Sequence, residues 1–178
     1  VVFGGTDIYT GVTESQRSRW RGRNLGIVFQ FFQLLPMLTL LENVMLAMDF
    51  AEMYDFDERP ERARAMLQLV GLGGFEKKLP LLVSTGQQQL AAIARALACD
   101  PPLLVADEPT GNLDSGSAGG IIDLFEELSQ RGKTVVMVTH DPSLTSRTTR
   151  NLTIADGVMI GDRRRSRRTL LSTSSRSS

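Results

Sequence analysis

Hydrophobic residues in this chain fall either in short continuous runs or in longer stretches with helical spacing. The short runs are Leu25–Gln30, Leu103–Asp107 and Thr134–Thr139, and each ends in a polar residue. A continuous apolar run of this length is typical of a strand that is buried on both faces of a parallel sheet. The Leu103 run is therefore predicted as a strand buried on both faces, the Thr134 run as another buried strand and the Leu25 run as a further strand. Their polar ends are expected at the sheet edge where ligands bind in open α/β folds.

Between these runs, most segments carry apolar residues at intervals of three and four, the spacing of a helix with one buried face. The predicted helices cover residues 13–20, 40–53, 57–70, 83–100 and 121–132. The first of them is polar, and Ser84 can cap the fourth, whose alanine-rich body favours a helix. The order of elements predicts an α/β protein in which residues from about 31 to about 82 form a helical insert.

The C-terminal part differs in composition from the rest. Asp156-Gly157 stands between two short apolar runs, which is a strong signal for a β-hairpin. From Arg163 onward the chain is rich in Arg and Ser, which predicts a disordered tail. This tail holds six of the 20 basic residues and none of the 20 acidic ones, so residues 1–162 have a net charge of −6. An acidic body argues against a nucleic-acid-binding surface.

Other features of the composition concern compartment and completeness. The single cysteine, Cys99, cannot form an internal disulfide and fits a small buried residue in a reducing compartment. No apolar run approaches the ~18 residues that a membrane-spanning helix needs. The chain does not begin with Met and opens inside an apparent strand. These two features predict a fragment whose N-terminal part is missing.

Candidate chemistry is concentrated at the ends of the predicted strands. Asp107 ends the Leu103 run and Glu108 follows it. Asp107 suits Mg²⁺ binding through a water, and Glu108 suits polarisation of the water that attacks a γ-phosphate. Gln30 and His140 stand at the ends of the other two runs. Taken singly, each residue also has a structural explanation. Gln30 could be a surface glutamine, His140 a hydrogen-bonding residue and Ser84 only a helix cap.

Taken together and in this order, the motifs resemble those of the ATP-binding-cassette (ABC) ATPases over residues 3–162. The matching segments are Gln30 for the Q-loop, VSTGQQQ for the LSGGQ signature, LLVADE for Walker B, Gly111–Asp114 for the D-loop, His140 for the switch histidine and Asp156-Gly157 for the terminal hairpin. VFQFFQLLPMLTLLENV together with ADEPTGNLD is most similar to the bacterial lipoprotein-release and macrolide-export transporters.

The resemblance implies a P-loop NTPase-like (RecA-like) parallel sheet with a helical ABC subdomain, and it implies ATP and Mg²⁺ as ligands. The implied roles are catalysis for Glu108 and His140, nucleotide binding for Gln30, Ser84, Thr85, Gly86, Gln87 and Asp114, and metal binding for Asp107 and Gln30. The implied domains are a partial core over 1–30, a helical subdomain over 31–95, the rest of the core over 96–162 and the tail over 163–178.

The family organisation also implies partners. The signature residues of one subunit would contact the γ-phosphate held by a second copy, so the resemblance implies a head-to-tail homodimer with shared ATP sites. It also implies membrane permease subunits, reached through the Q-loop region, and a location at the inner face of the plasma membrane. Nucleic acid is not an expected partner.

Three departures from the family pattern bear on activity. The chain has no G-x-x-x-x-G-K-[ST] phosphate-binding (Walker A) loop, so the chain as given is expected to be inactive. Thr85 replaces the first signature glycine, and a β-branched residue cannot adopt a positive φ cheaply. Leu90 stands where the family usually has Arg. These substitutions and the Arg/Ser tail would fit a decayed gene or an altered reading frame.

Three functions follow as alternatives. The leading one is the ATP-hydrolysing subunit of an ABC exporter. The second is a catalytically inactive remnant that can at most dock on partners, and the third is an ABC ATPase that works without a transporter.

Overall fold

A computed structural model describes residues 2–3, 5–7, 10 and 12–165, which fall into two compact units that divide after Thr139. In chain order the first unit contains β1 (Val2–Phe3), β2 (Thr6–Asp7), α1 (Glu14–Asn24), β3 (Leu25–Val28), α2 (Leu40–Ala51), α3 (Arg59–Leu69), a 3₁₀ turn (Pro80–Leu82), α4 (Thr85–Leu97), β4 (Leu103–Asp107), α5 (Ser115–Gln130) and β5 (Thr134–Val138). The first two strands pair as a short antiparallel ribbon.

The strands β3, β4 and β5 form one parallel sheet in that order, which confirms the predicted α/β fold class. In the register, Val28 lies beside Ala106, and Ala106 lies beside Met137. The three strands therefore end at the same edge. The polar residues that follow them in the sequence start from that edge, as the parallel arrangement requires.

Within the described part of the chain, this sheet is well covered on only one face, so the predicted burial of β5 is wrong and β4 is only partly buried on its second face, at Val105. Gly26, Val28, Leu104 and Ala106 are buried on the face against which α4 packs. On the opposite face, the apolar side chains Ile27, Val136 and Val138 are 41%, 47% and 57% exposed. A run of apolar residues favours a strand but carries no information about which element covers each side. We call this second surface the open face.

Three helices begin with a reciprocal cap, in which the cap side chain accepts from a backbone N–H and the third helical side chain returns the bond. The caps are Thr13 with Gln16 for α1, Thr39 with Glu42 for α2 and Ser84 with Gln87 for α4. The capping role predicted for Ser84 is confirmed. Such caps fix where each helix starts, and the start of α4 carries the signature residues.

The helices α2, α3 and α4 pack against one another and enclose a core of fully buried side chains that includes Val44, Met48, Leu67 and Ile93. Among the residues that the structure describes, no helix has the length and apolar character of a membrane-crossing segment. The boundaries of the predicted helical subdomain stay a prediction.

The second unit begins at His140 and contains a 3₁₀ helix (Pro142–Arg147) and an antiparallel hairpin of β6 (Arg150–Ala155) and β7 (Val158–Arg164). Asp156 and Gly157 form its turn with φ of 49° and 75°, as predicted from that dipeptide. The hairpin extends into the segment predicted as a disordered tail, because Arg163 and Arg164 pair with residues of β6. Residues 166–178 of that tail lie outside the described residues.

The close approach of α4 to β3 gives a test of this packing. A Cβ added to Gly26 would lie within 3 Å of the Ala96 carbonyl oxygen and 2.8 Å from Leu104 Cδ1. We expect Gly26→Ala to lower the free energy of unfolding by about 1–3 kcal/mol through overpacking. Gly120→Ala is the matched control. That glycine lies in α5 with nothing near its added Cβ, so alanine should raise stability by about 0.5–1 kcal/mol. Urea denaturation of both variants measures the difference, and an unchanged Gly26→Ala would contradict this packing.

Candidate functional site

The edge of β4 carries the two carboxylates that the sequence singles out. Asp107 ends the strand and is exposed. Glu108 continues the ladder by one residue, because its N–H donates to the Val138 carbonyl at 2.9 Å. Its φ is +42°, a left-handed conformation that is uncommon for residues other than glycine and costs about 1–3 kcal/mol. The Thr139 hydroxyl, just after β5, donates a long hydrogen bond of 3.4 Å to Glu108 Oε2 and so helps to orient the Glu108 side chain.

Gln30 lies beside the turn that follows Glu108, as its position after β3 predicts. A Cβ added to Gly111 would lie 3.5 Å from Gln30 Nε2 and 3.7 Å from Glu108 Cβ, so both side chains flank this glycine. The Asn112 amide donates to the Gln30 carbonyl oxygen at 3.3 Å. The structure therefore brings the side chains of Gln30 and Glu108 to one place, beside Gly111.

The chemistry of these residues fits a Mg²⁺ ion. No group of three His, Cys, Asp or Glu side chains within the described part of the chain could hold a metal by itself. Mg²⁺ does not need such a cage, since it keeps several waters and usually takes one or two carboxylates together with substrate phosphates. The exposed Asp107 carboxylate and the Gln30 amide oxygen are oxygen ligands of the type that Mg²⁺ requires.

The signature residues form the start of α4. Ser84 is the helix cap, accepting from the Gln87 N–H at 3.2 Å, and Gln87 Oε1 accepts from the Ser84 N–H at 2.9 Å. Thr85 is the first residue of the helix and is not among the residues with positive φ. The expected backbone strain at Thr85 is therefore wrong, because the first helical position needs only ordinary helical angles. The free N–H groups of this turn suit an anion.

A second helix starts next to this one. Asp114 caps α5 by accepting from the N–H groups of Gly116 and Ser117 at 3.1 and 3.0 Å and from the Ser117 hydroxyl at 2.7 Å. A Cβ added to Gly86 would lie 2.9 Å from Ser117 Oγ. The Asp114 carboxylate already bonds to the start of α5, so an anion near this contact would be favoured by the dipole of α4.

His140 opens the second unit and is described with it. The residue is exposed, and the neighbouring Asp141 side chain accepts from the Ser143 N–H at 2.8 Å. The hydrogen bonds from Ser143, and the charge of His140 to a smaller extent, lower the pKa of Asp141. The catalytic role of His140 stays a prediction.

Sequence reasoning missed the side chains that hold the Q-loop, namely Gln89, Arg95 and Asn112. Each donates to a backbone carbonyl, and a carbonyl acceptor leaves no signature in sequence. One signal was available. Gln89 lies three and four residues before Ala92 and Ile93, so an amide stands on the buried face of α4.

The cap of α5 predicts a pH effect. Hydrogen bonds from the backbone and hydroxyl of Ser117 lower the pKa of the Asp114 carboxyl below its usual 3.8. A lowered folded-state pKa means that the ionised carboxylate stabilises the fold above pH 3.8 and that this stabilisation disappears as the pH falls through the folded-state value. We expect NMR titration of Asp114 to give a midpoint below 3.8. Ser117→Ala should raise this midpoint, and an unmoved midpoint in that variant would contradict the assignment of the cause.

The chain is similar to a known protein family and to solved structures. The family model for ABC transporters matches residues 1–111. The macrolide export ATP-binding/permease protein MacB of Syntrophobacter fumaroxidans is 44% identical over 159 residues, which cover 88% of this chain and 22% of that protein. The lipoprotein-releasing system ATP-binding protein LolD of Aquifex aeolicus is 44% identical over 149 residues, covering 84% of this chain and 66% of that protein. The chain thus spans less than two thirds of either relative.

A solved structure has the same fold. The dimeric ATP-binding cassette MJ0796, bound to ADP and Pi in a post-hydrolysis state, matches with a TM-score of 0.80 and 36% identity. The match covers 91% of this chain and 71% of that one. The resemblance to the lipoprotein-release and macrolide-export transporters, stated from the motifs, is confirmed by these relatives.

Proposed function

The chain belongs to the ABC transporter family, and from that membership we propose that the complete gene product is the ATP-hydrolysing subunit of an ABC exporter. Its partner would be a membrane permease, which would hold it at the inner face of the plasma membrane. The relatives that carry printed functions are a macrolide exporter and a lipoprotein-releasing system, and they support export over import.

One observation carries the proposal most directly. Glu108 lies at the carboxyl edge of β4 in a strained conformation and shares the surroundings of Gly111 with Gln30. Strained residues of this kind cluster at active sites. In the proposed reaction, the Glu108 carboxylate accepts a hydrogen bond from the attacking water and orients it towards the γ-phosphate, while the Gln30 amide lies close enough to respond to the same water.

The other site residues would bind the triphosphate. We assign Mg²⁺ to Asp107 and Gln30, and the ion would neutralise phosphate charge when it is bound. The start of α4, with Ser84 and Gly86, would direct N–H groups at the γ-phosphate of a second copy, which requires a head-to-tail homodimer. His140 is assigned a γ-phosphate contact through the family resemblance alone.

Glu108→Gln tests the catalytic assignment. In the complete gene product, an amide keeps the shape of the side chain but cannot accept a proton from water. We expect hydrolysis to fall ~10²–10⁴-fold while ATP affinity stays unchanged. Glu127→Gln is the control, because Glu127 is an exposed residue of α5 that pairs with Arg131. Steady-state ATPase assays and nucleotide binding measure the two effects, and near-normal turnover in Glu108→Gln would show that another group is the base.

Thr85→Gly tests the signature. Thr85 starts α4 without backbone strain, so the side chain and not the backbone conformation is expected to cause any effect, through its bulk beside the phosphate or through its hydroxyl. We expect the glycine variant to form the ATP-dependent dimer about tenfold better on the Glu108→Gln background, which corresponds to ~1.4 kcal/mol. Gly86→Asp should abolish the dimer because it adds bulk against Ser117 and charge beside the phosphate. Analytical ultracentrifugation with ATP decides, and weaker dimerisation of Thr85→Gly would make threonine a useful member of the signature.

The permease contact is proposed for the segment between Gln30 and Val44. Phe31 and Met37 are 70% and 81% exposed, so this segment presents apolar side chains to solvent. Crosslinkers placed at Gln33 and Met37 in cells should capture a membrane subunit, whereas one at Gln130 on α5 should not. Capture from Gln130 alone, with the partner present, would place the contact elsewhere.

A further inference from the structure

The side chain of Gln89 joins three parts of the site. Gln89 is only 1% exposed, in the middle of α4. Its Nε2 donates to the Pro109 carbonyl at 2.9 Å and to the Phe29 carbonyl at 3.4 Å. Phe29 directly precedes Gln30, and Pro109 directly follows Glu108. One amide therefore bonds to the backbone next to both residues that are assigned to the attacking water.

The orientation of this amide follows from its neighbours. Both groups that it faces are carbonyl oxygens, which can only accept, so the nitrogen must point towards them. Gln89 Oε1 then points away, and it has no hydrogen-bond donor among the described residues. A buried acceptor without a donor costs free energy. An apolar residue here would remove this unpaired acceptor, but it would also take away the donor to the Phe29 and Pro109 carbonyls, so the amide is kept for those two bonds.

A second side chain of α4 holds the loop beyond Gln30. Arg95 donates from Nη1 to the Gln33 carbonyl at 2.6 Å and from Nη2 to the Phe32 carbonyl at 2.9 Å. Side chains of α4 therefore bond to the backbone on both sides of Gln30, at Phe29 before it and at Phe32 and Gln33 after it. Of these two side chains, Gln89 also bonds to the turn after Glu108, so it links α4 to the backbone beside both Gln30 and Glu108.

We propose that Gln89 is a positioning residue that couples α4 to Gln30 and Glu108 of the same subunit. When the start of α4 meets the phosphate held by a second copy, movement of the helix displaces the Phe29 and Pro109 carbonyls together. The water-binding residues then reach their working positions only in the closed dimer. This inference rests on the proposed function, since it concerns the timing of ATP hydrolysis at that site.

The test compares two glutamines of the same helix in the complete gene product. Gln89→Met keeps the length and volume of the side chain and removes the donor. Gln88→Met is the matched control, because among the described residues the Gln88 amide donates to the Val83 carbonyl, just before the same helix, at 3.4 Å and not to the Q-loop. If Gln89→Met does not fold, Gln89→Asn keeps the amide but shortens it so that it no longer reaches both carbonyls.

Two readouts separate positioning from stability. We expect kcat for ATP to fall ~10–100-fold in Gln89→Met, since small misplacements near the reacting atoms have effects of this size. ATP affinity should stay within about twofold, because α4 of one copy does not hold the nucleotide of that copy. Hydrogen exchange should rise at the amides of Leu35, Glu108 and Gly111 and not across α2 and α3. Gln88→Met should match the wild type in both readouts.

The opposing outcomes are distinct. Equal kcat in the two variants, or a rise in exchange throughout α2, α3 and α4, would overturn the coupling and leave Gln89 as an ordinary core residue. A wild-type protein without ATPase activity would instead refute the proposed function. In that case the exchange pattern alone still shows whether Gln89 ties the Q-loop to the turn after Glu108.

Discussion

The close packing of α4 on β3 is the constraint on which the site depends. Gly26 brings the helix against the strand because any side chain there would overlap the Ala96 carbonyl. At this separation, Gln89 and Arg95 reach the backbone on both sides of Gln30. Close packing also leaves the interior without room for adjustment, so a shift of the helix must be passed on to the strand ends. The packing at Gly26, inside β3, thereby constrains the geometry at the carboxyl edge of the sheet.

Polar groups at helix starts give the site its second organising principle. Ser84, which follows the 3₁₀ turn before α4, and Asp114, which follows the turn after β4, both cap their helices through their side chains. Each cap fixes the direction of the N–H groups that follow it, and the contact of Gly86 with Ser117 sets the two starts side by side. The N–H groups of Gly116 and Ser117 are bonded to Asp114, so an anion at this junction would meet the N–H groups of α4, which its cap already orients.

The sequence predicted those parts of the structure that local patterns encode. The strand ends at Asp107 and the cap at Ser84 followed from apolar runs and capping chemistry, which act over a few residues. The exposure of one face of the sheet could not be predicted in this way, because the exposure of Val136 and Val138 depends on which elements lie across the open face. The role of Gln89 was equally hidden, because its partners lie 60 and 20 residues away in the chain and are backbone carbonyls. Thr85 was misjudged because a family glycine suggested a special conformation, whereas the position only begins a helix.

The left-handed backbone at Glu108 has a consequence for how this protein can be improved. A positive φ is unfavourable for any residue that carries a side chain, so Glu108 is retained there at a cost to the stability of the native state. Screening for thermal stability alone would therefore favour replacement of the one residue that the proposed chemistry cannot spare. The gain in melting temperature and the loss of turnover would come from the same substitution, and the two properties could be optimised only by stabilising the chain elsewhere.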